Sequence, residues 1–134
     1  MCVRFCGPLV LAALLLGAAP LLAHHSFAAE FDIAKPMTIK GVVTKVEWIN
    51  PHVYLHVDAR NDAGTVTKWD IETIGPARMR DEGLTKATFG IGKPVTMRVY
   101  QARDGSRNLA FLRTITFEDG HTLEVWLGDP NSKP

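Results

Sequence analysis

Beyond position 6 the chain has no cysteine. Cys2 and Cys6 both fall in an N-terminal stretch that reads as a leader, so the rest forms no disulfide and must hold its fold by packing alone. Serine is almost as scarce, with Ser26 in an N-terminal arm, Ser106 in a turn and Ser132 in the tail. None of these, and no local pairing of carboxylates, assembles a nucleophile with a base, so the chain is read as non-enzymatic. An excess of one charge is missing too. Once Arg4 leaves with the leader, the cations equal the fourteen carboxylates. A neutral domain gives no electrostatic case for nucleic acid or for an anionic membrane. Past the leader there is no long hydrophobic run. Even the leader's own run, Leu9 to Leu16, is too short for a membrane span of about 20 residues, so no stable membrane anchor is expected.

The leader, residues 1–23, has one early cation, Arg4, then that apolar run, then Gly17, Ala18 and Ala19 before Pro20. This is the pattern of a secretory signal peptide, and it implies a periplasmic or secreted product. Cys6 precedes the apolar run rather than following it, which argues against lipid attachment. Cleavage after Ala23 makes His24 the new N-terminus; a cut after Ala28 is the alternative. The remainder divides into an arm (24–36), a single β-rich domain (37–128) and a tail (129–134) without an apolar anchor.

The domain is organised around Gly41 to Asp58, two β-rich runs joined by Ile49-Asn50-Pro51. In the first run, Met37 to Trp48, the apolar parity changes, since Ile39 and Val43 share one phase while Val42, Val46 and Trp48 share the other. A bulge near Gly41 is expected to reconcile them. His52 to Arg60 alternates cleanly, with Val53, Leu55 and Val57 inward and His52, Tyr54, His56 and Asp58 outward. A third strand follows the Asn61-Asp62-Ala63-Gly64 turn, with Trp69 and Ile71 opposite Asp70 and Glu72. Pro76 opens a short helix that ends at Gly83. Further strands run Pro94 to Ala102 and Asn108 to Phe117, and Thr122 to Leu127 adds an edge. The predicted core includes Val53, Leu55, Val57, Trp69, Ile71, Val95, Met97, Val99, Phe111 and Ile115, with Val43 or Val46. The arm offers Phe27, Phe31 and Ile33 for docking against the barrel surface.

Three strands, a helix, two strands and an extra edge give an all-β fold, a small OB-like β-barrel with one short helix between strands 3 and 4. A lipocalin-like barrel needs more strands and no central helix; an immunoglobulin-like sandwich places no helix there. The His24-His25-Ser26-Phe27 start, the run ending Trp48-Ile49-Asn50-Pro51-His52, the later Gly92-Lys93-Pro94-Val95 and Asp104-Gly105 together resemble a family of short secreted bacterial proteins of unknown function. The resemblance spans essentially the whole secreted domain and implies a periplasmic β-barrel. It carries no activity and no catalytic residue.

Two kinds of site are expected. The first is a transition-metal centre, with Cu(II) the leading candidate. A terminal His24 offers an amine and an imidazole to one ion, His25 or His52 adds a further nitrogen, and nitrogen ligands favour Cu(II). His52 and His56 lie about 13 Å apart along a strand and cannot share that ion. The second is a pocket at the Trp48 to Tyr54 corner, where Trp48, Tyr54 and His56 would stack on a small envelope ligand, oligosaccharide, peptide or partner protein and Asn50 would offer its amide. Against these stand plainer roles. Trp48 and Trp69 can simply fill the core, His56 and His121 can be solvated polar residues, and His52 can brace its own hairpin. A monomer or weak oligomer is expected.

Overall fold

The computed structural model describes residues 27–125. A single helical turn, α1 (Phe27–Glu30), leads into β1 (Phe31–Trp48), β2 (Val53–Arg60) and β3 (Val66–Glu72). Helix α2 (Pro76–Asp81) and a 3-10 turn (Lys86–Phe89) follow, then β4 (Pro94–Ala102), β5 (Leu109–Phe117) and the short edge strand β6 (Thr122–Glu124). β1 pairs antiparallel with β2 through its C-terminal half and with β4 through its N-terminal half. β4 pairs with β5, and β5 runs parallel to β3, with Asp70, Ile71 and Glu72 opposite Leu109, Ala110 and Phe111. That parallel junction closes the ring. The result is a small OB-like barrel with one short α-helix between strands 3 and 4.

One strand can serve both halves of the barrel only if it bends, and β1 does so at two places. At Gly41 it pairs with Ala59 on one side and Val95 on the other. A Cβ there would sit 2.4 Å from the Asp58 carbonyl oxygen, so only glycine permits the approach. The change of apolar phase is real, but the register shift falls between Val43 and Lys45, not at Gly41. Thr44 is the extra residue, and it lets Ile39 and Val43 on one side of the bulge and Val46 on the other all point inward. β1 also begins earlier than the sequence suggested, at Phe31 instead of Met37. The reason lies in the side chains. Phe31 is only 2 % exposed, and Arg103 holds it by bonding its carbonyl through Nε, while its own N–H reaches the Glu30 carbonyl.

The interior is aliphatic. Val43, Val46, Val53, Leu55, Val57, Ile71, Val95, Met97, Val99 and Ile115 are buried as predicted, each worth roughly 1.5–3 kcal/mol of transfer free energy. Met79 from α2, Phe89 from the 3-10 turn, Leu112 and Val125 complete the same cluster. Two expected core residues sit elsewhere. Trp69 is only half buried, at the margin of the cluster, and Phe111 is buried but on the barrel's outer side. There Phe111 packs edge-to-face against Phe27 and Phe31, with ring centroids 4.9 and 5.4 Å away, and Tyr100 joins the group through Phe27. Phe27 and Phe31 thus dock as the sequence suggested, whereas Ile33 remains 55 % exposed.

Candidate functional site

The corner between β1 and β2 is clamped from the far side of the sheet. The Asn50–Pro51 peptide is cis, and the Pro51 carbonyl oxygen lies where a Cβ on Gly75 would come within 2.5 Å. Thr73, fully buried, donates both its backbone N–H and its hydroxyl to the Val53 carbonyl, and the Val53 N–H bonds the Ile74 carbonyl. Backbone bonds therefore fix the start of β2. On the outward face this leaves His52 and Tyr54 beside Glu72, the cross-strand partner of Tyr54. His52 Nδ1 is 2.5 Å from Glu72 Oε1, and the Tyr54 hydroxyl donates to Glu72 Oε2 at 2.9 Å. The Glu72 side chain is 8 % exposed and the His52 side chain 41 %. A carboxylate this buried is stable only when its oxygens are bonded, and both are. Partial burial, followed by the bond to Glu72 and the negative charges of Glu72, Glu30 and Asp70, pushes the Tyr54 hydroxyl up to about 12.

Next along the same face stands a second cluster. His56 places Nδ1 2.7 Å from Asp70 Oδ1 and Nε2 3.0 Å from Glu47 Oε2, so its ring bridges β1, β2 and β3. The bond from His56, with Lys45 adding a second, holds the Glu47 carboxyl below its ordinary range. The two carboxylates face opposite sides of the ring and do not converge on a common point. Among the described residues no group of three or more histidine, aspartate or glutamate side chains is placed to hold a metal ion.

A family model described as a family of unknown function, DUF6152, matches residues 12–111, three quarters of the chain and every residue of both clusters. The chain belongs to that family. No curated protein and no solved structure matches it. In this DUF6152 member the predicted site residues fall into separate settings. Trp48 is half buried against the core, Asn50 is exposed at the turn, Tyr54 is bound to Glu72, and His56 is engaged at both nitrogens. Of the two histidines in these settings, His52 has a ring nitrogen, Nε2, without a hydrogen-bond partner among the described residues. His24 and His25 lie outside the described residues.

Away from the Trp48 corner, a cavity of about 630 Å³ forms an open groove over the bend of β1, lined by Val42, Asp58, Arg60, Pro94, Thr96 and Phe117 among others. At the corner itself, Gly75 approaches the Pro51 carbonyl closely and Glu72 accepts from the Tyr54 hydroxyl. The partners of Glu47, Asp70 and Glu72 do not follow from the alternation of their own strands. The missing signal was available in the β2–β3 turn. Counting back from Asn61 and Thr65, whose backbones bond across the turn, sets His56 against Asp70 and Tyr54 against Glu72.

Proposed function

We propose that this protein is a periplasmic or secreted, non-catalytic binding barrel that takes up a transition metal ion, with Cu(II) preferred. The mature N-terminus, with its amine and the imidazoles of His24 and His25, supplies most of the ligands, and His52 supplies the barrel's own. The observation that carries this reading is the position of His52. Its exposed imidazole is braced on Glu72, and Glu72 lies opposite Phe111, the ring on which Phe27 docks. The charge of Glu30 in α1 also bears on Tyr54. The N-terminal turn and His52 thus share one rim of the barrel, and His25 is two residues from Phe27, a reach of up to about 7 Å of chain. Terminal amine and imidazole nitrogens are the donors that rank Cu(II) above the other divalent ions of the first row.

The test is N-terminal sequencing of the secreted protein, followed by Cu(II) titration of that species, of a form with one residue added before His24, and of His52→Ala. The extended form is expected to bind far more weakly and His52→Ala measurably so. Equal binding by the extended form, or a mature terminus at Ala29, would remove the terminal chelate. A second reading, a module for an oligosaccharide, peptide or other small envelope ligand, is favoured by the open groove over Val42 and Pro94. Tryptophan fluorescence against a panel of envelope sugars and peptides tests it, and no response from any member would retire it.

A further inference from the structure

The geometry points to Glu72 and Tyr54 as positioning residues that hold His52 in one tautomer, with hydrogen on Nδ1 and the lone pair on Nε2 presented outward as a ligand for a borderline transition-metal ion. The inference deepens the metal-binding reading and rests on it for the identity of the ligand. A neutral imidazole carries one proton, and its two nitrogens compete for it. An acceptor-only group beside one nitrogen settles the competition, because the proton stays where it is bonded. Glu72 Oε1 stands 2.5 Å from Nδ1 and accepts there. Nε2 then keeps its lone pair, on the other side of the ring from the nitrogen that the carboxylate holds, in a side chain that is 41 % accessible.

Glu72 itself is unsuited to be the ligand. Its side chain is 8 % exposed, one oxygen faces His52 and the other accepts from Tyr54 at 2.9 Å, so neither is free to turn toward an ion. Its contribution is orientation and electron density: a carboxylate on the far nitrogen of a metal-binding histidine fixes the ring and strengthens the donor. Tyr54 keeps the carboxylate from rotating. Thr73 and Ile74 fix the backbone at Val53, so the ring that Glu72 grips is attached to a rigid base. His56, on the same face, shows the opposite arrangement. Carboxylates face both of its nitrogens at hydrogen-bond distance, so neither is left open.

The experiment pairs two readouts on the mature protein. The first is nitrogen-15 NMR of the neutral His52 ring without metal, which reports which nitrogen bears the proton; the second is Cu(II) titration. Wild type is expected to show the Nδ1–H form. Glu72→Ala is expected to give mixed tautomers and on the order of 10–100-fold weaker Cu(II) binding. Glu72→Gln, whose amide oxygen still accepts from Nδ1, should restore the tautomer and most of the affinity; Tyr54→Phe should keep the tautomer with a smaller loss. If Glu72→Ala fails to fold, Glu72→Asp, whose carboxylate is withdrawn by one methylene, takes its place. A wild-type ring protonated at Nε2, or a Glu72→Ala ring with unchanged tautomer, overturns the inference. If wild type shows the Nδ1–H form but binds no Cu(II), the positioning role stands and the metal-binding reading falls.

Discussion

His56 lies in β2 and His52 immediately precedes that strand, yet their surroundings differ. His56 is enclosed by partners from both neighbouring strands, Glu47 and Asp70, and acts as a cross-strand tie. His52 stands where β1 has turned away, so it has a carboxylate on one side only and leaves a nitrogen open. The difference shows that residue type and face do not decide whether both ring nitrogens of a histidine are engaged. What decides is how many neighbouring strands flank it. A histidine in mid-sheet is held from two sides, and one at the end of a strand is held from one.

The strongest way to break the comparison is to remove what both histidines stand on. Leu55 lies between them on the inner face and is fully buried, so Leu55→Ala is expected to cost about 2–5 kcal/mol by denaturant unfolding and to weaken both clusters together. A sharper test separates them. His52→Ala should lower Cu(II) affinity by at least about tenfold with little loss of stability, whereas His56→Ala should leave Cu(II) affinity unchanged and lower stability by up to about 1 kcal/mol. A reversal of that pattern in paired titration and melting experiments would assign the two roles the other way round.

Smaller effects appear in the pH dependence. The Tyr54 hydroxyl is raised to about 12 in the fold, against roughly 10 in the unfolded chain, so its contribution is whole below about pH 10 and is lost as pH rises toward 12. Urea midpoints should therefore fall across that window, and Tyr54→Phe should flatten the fall. The smallest effect belongs to Glu47. Its carboxyl is lowered chiefly by the bond from His56, so its contribution is present above its unfolded value, near 4.5, and fades as pH drops through the folded value. His56→Ala should reduce this acid dependence, and if the midpoints of wild type and variant run parallel below pH 4.5, the His56–Glu47 bond contributes nothing in solution.

Much of the barrel was legible in the sequence because its signals are local. The alternation from Val53 to Val57 set the register of β2, and Pro76 and Gly83 bracketed the helix. Three features escaped because they depend on partners distant in the chain. Phe111 carries the inward pattern of a core residue, but Phe27 and Phe31 arrive from the other end of the chain to cover it on the outside. The change of apolar phase in β1 announced a bulge near Gly41; it falls at Thr44, three residues on, while Gly41 makes the close approach to Asp58. Glu72 read simply as the face opposite Trp69 and Ile71, and only the register carried across the β2–β3 turn brings Tyr54 opposite it and His52 beside it.

The parallel junction between β3 and β5 is the shortest in the ring, and the residues that form it on β3 include both Asp70 and Glu72. One carboxylate partner of each histidine is therefore carried by that seam. Opening it would draw Glu72 from His52 and Asp70 from His56 together, leaving His56 only its contact with Glu47 on β1. The contacts of the outer face and the closure of the barrel are thus coupled through two side chains of one strand.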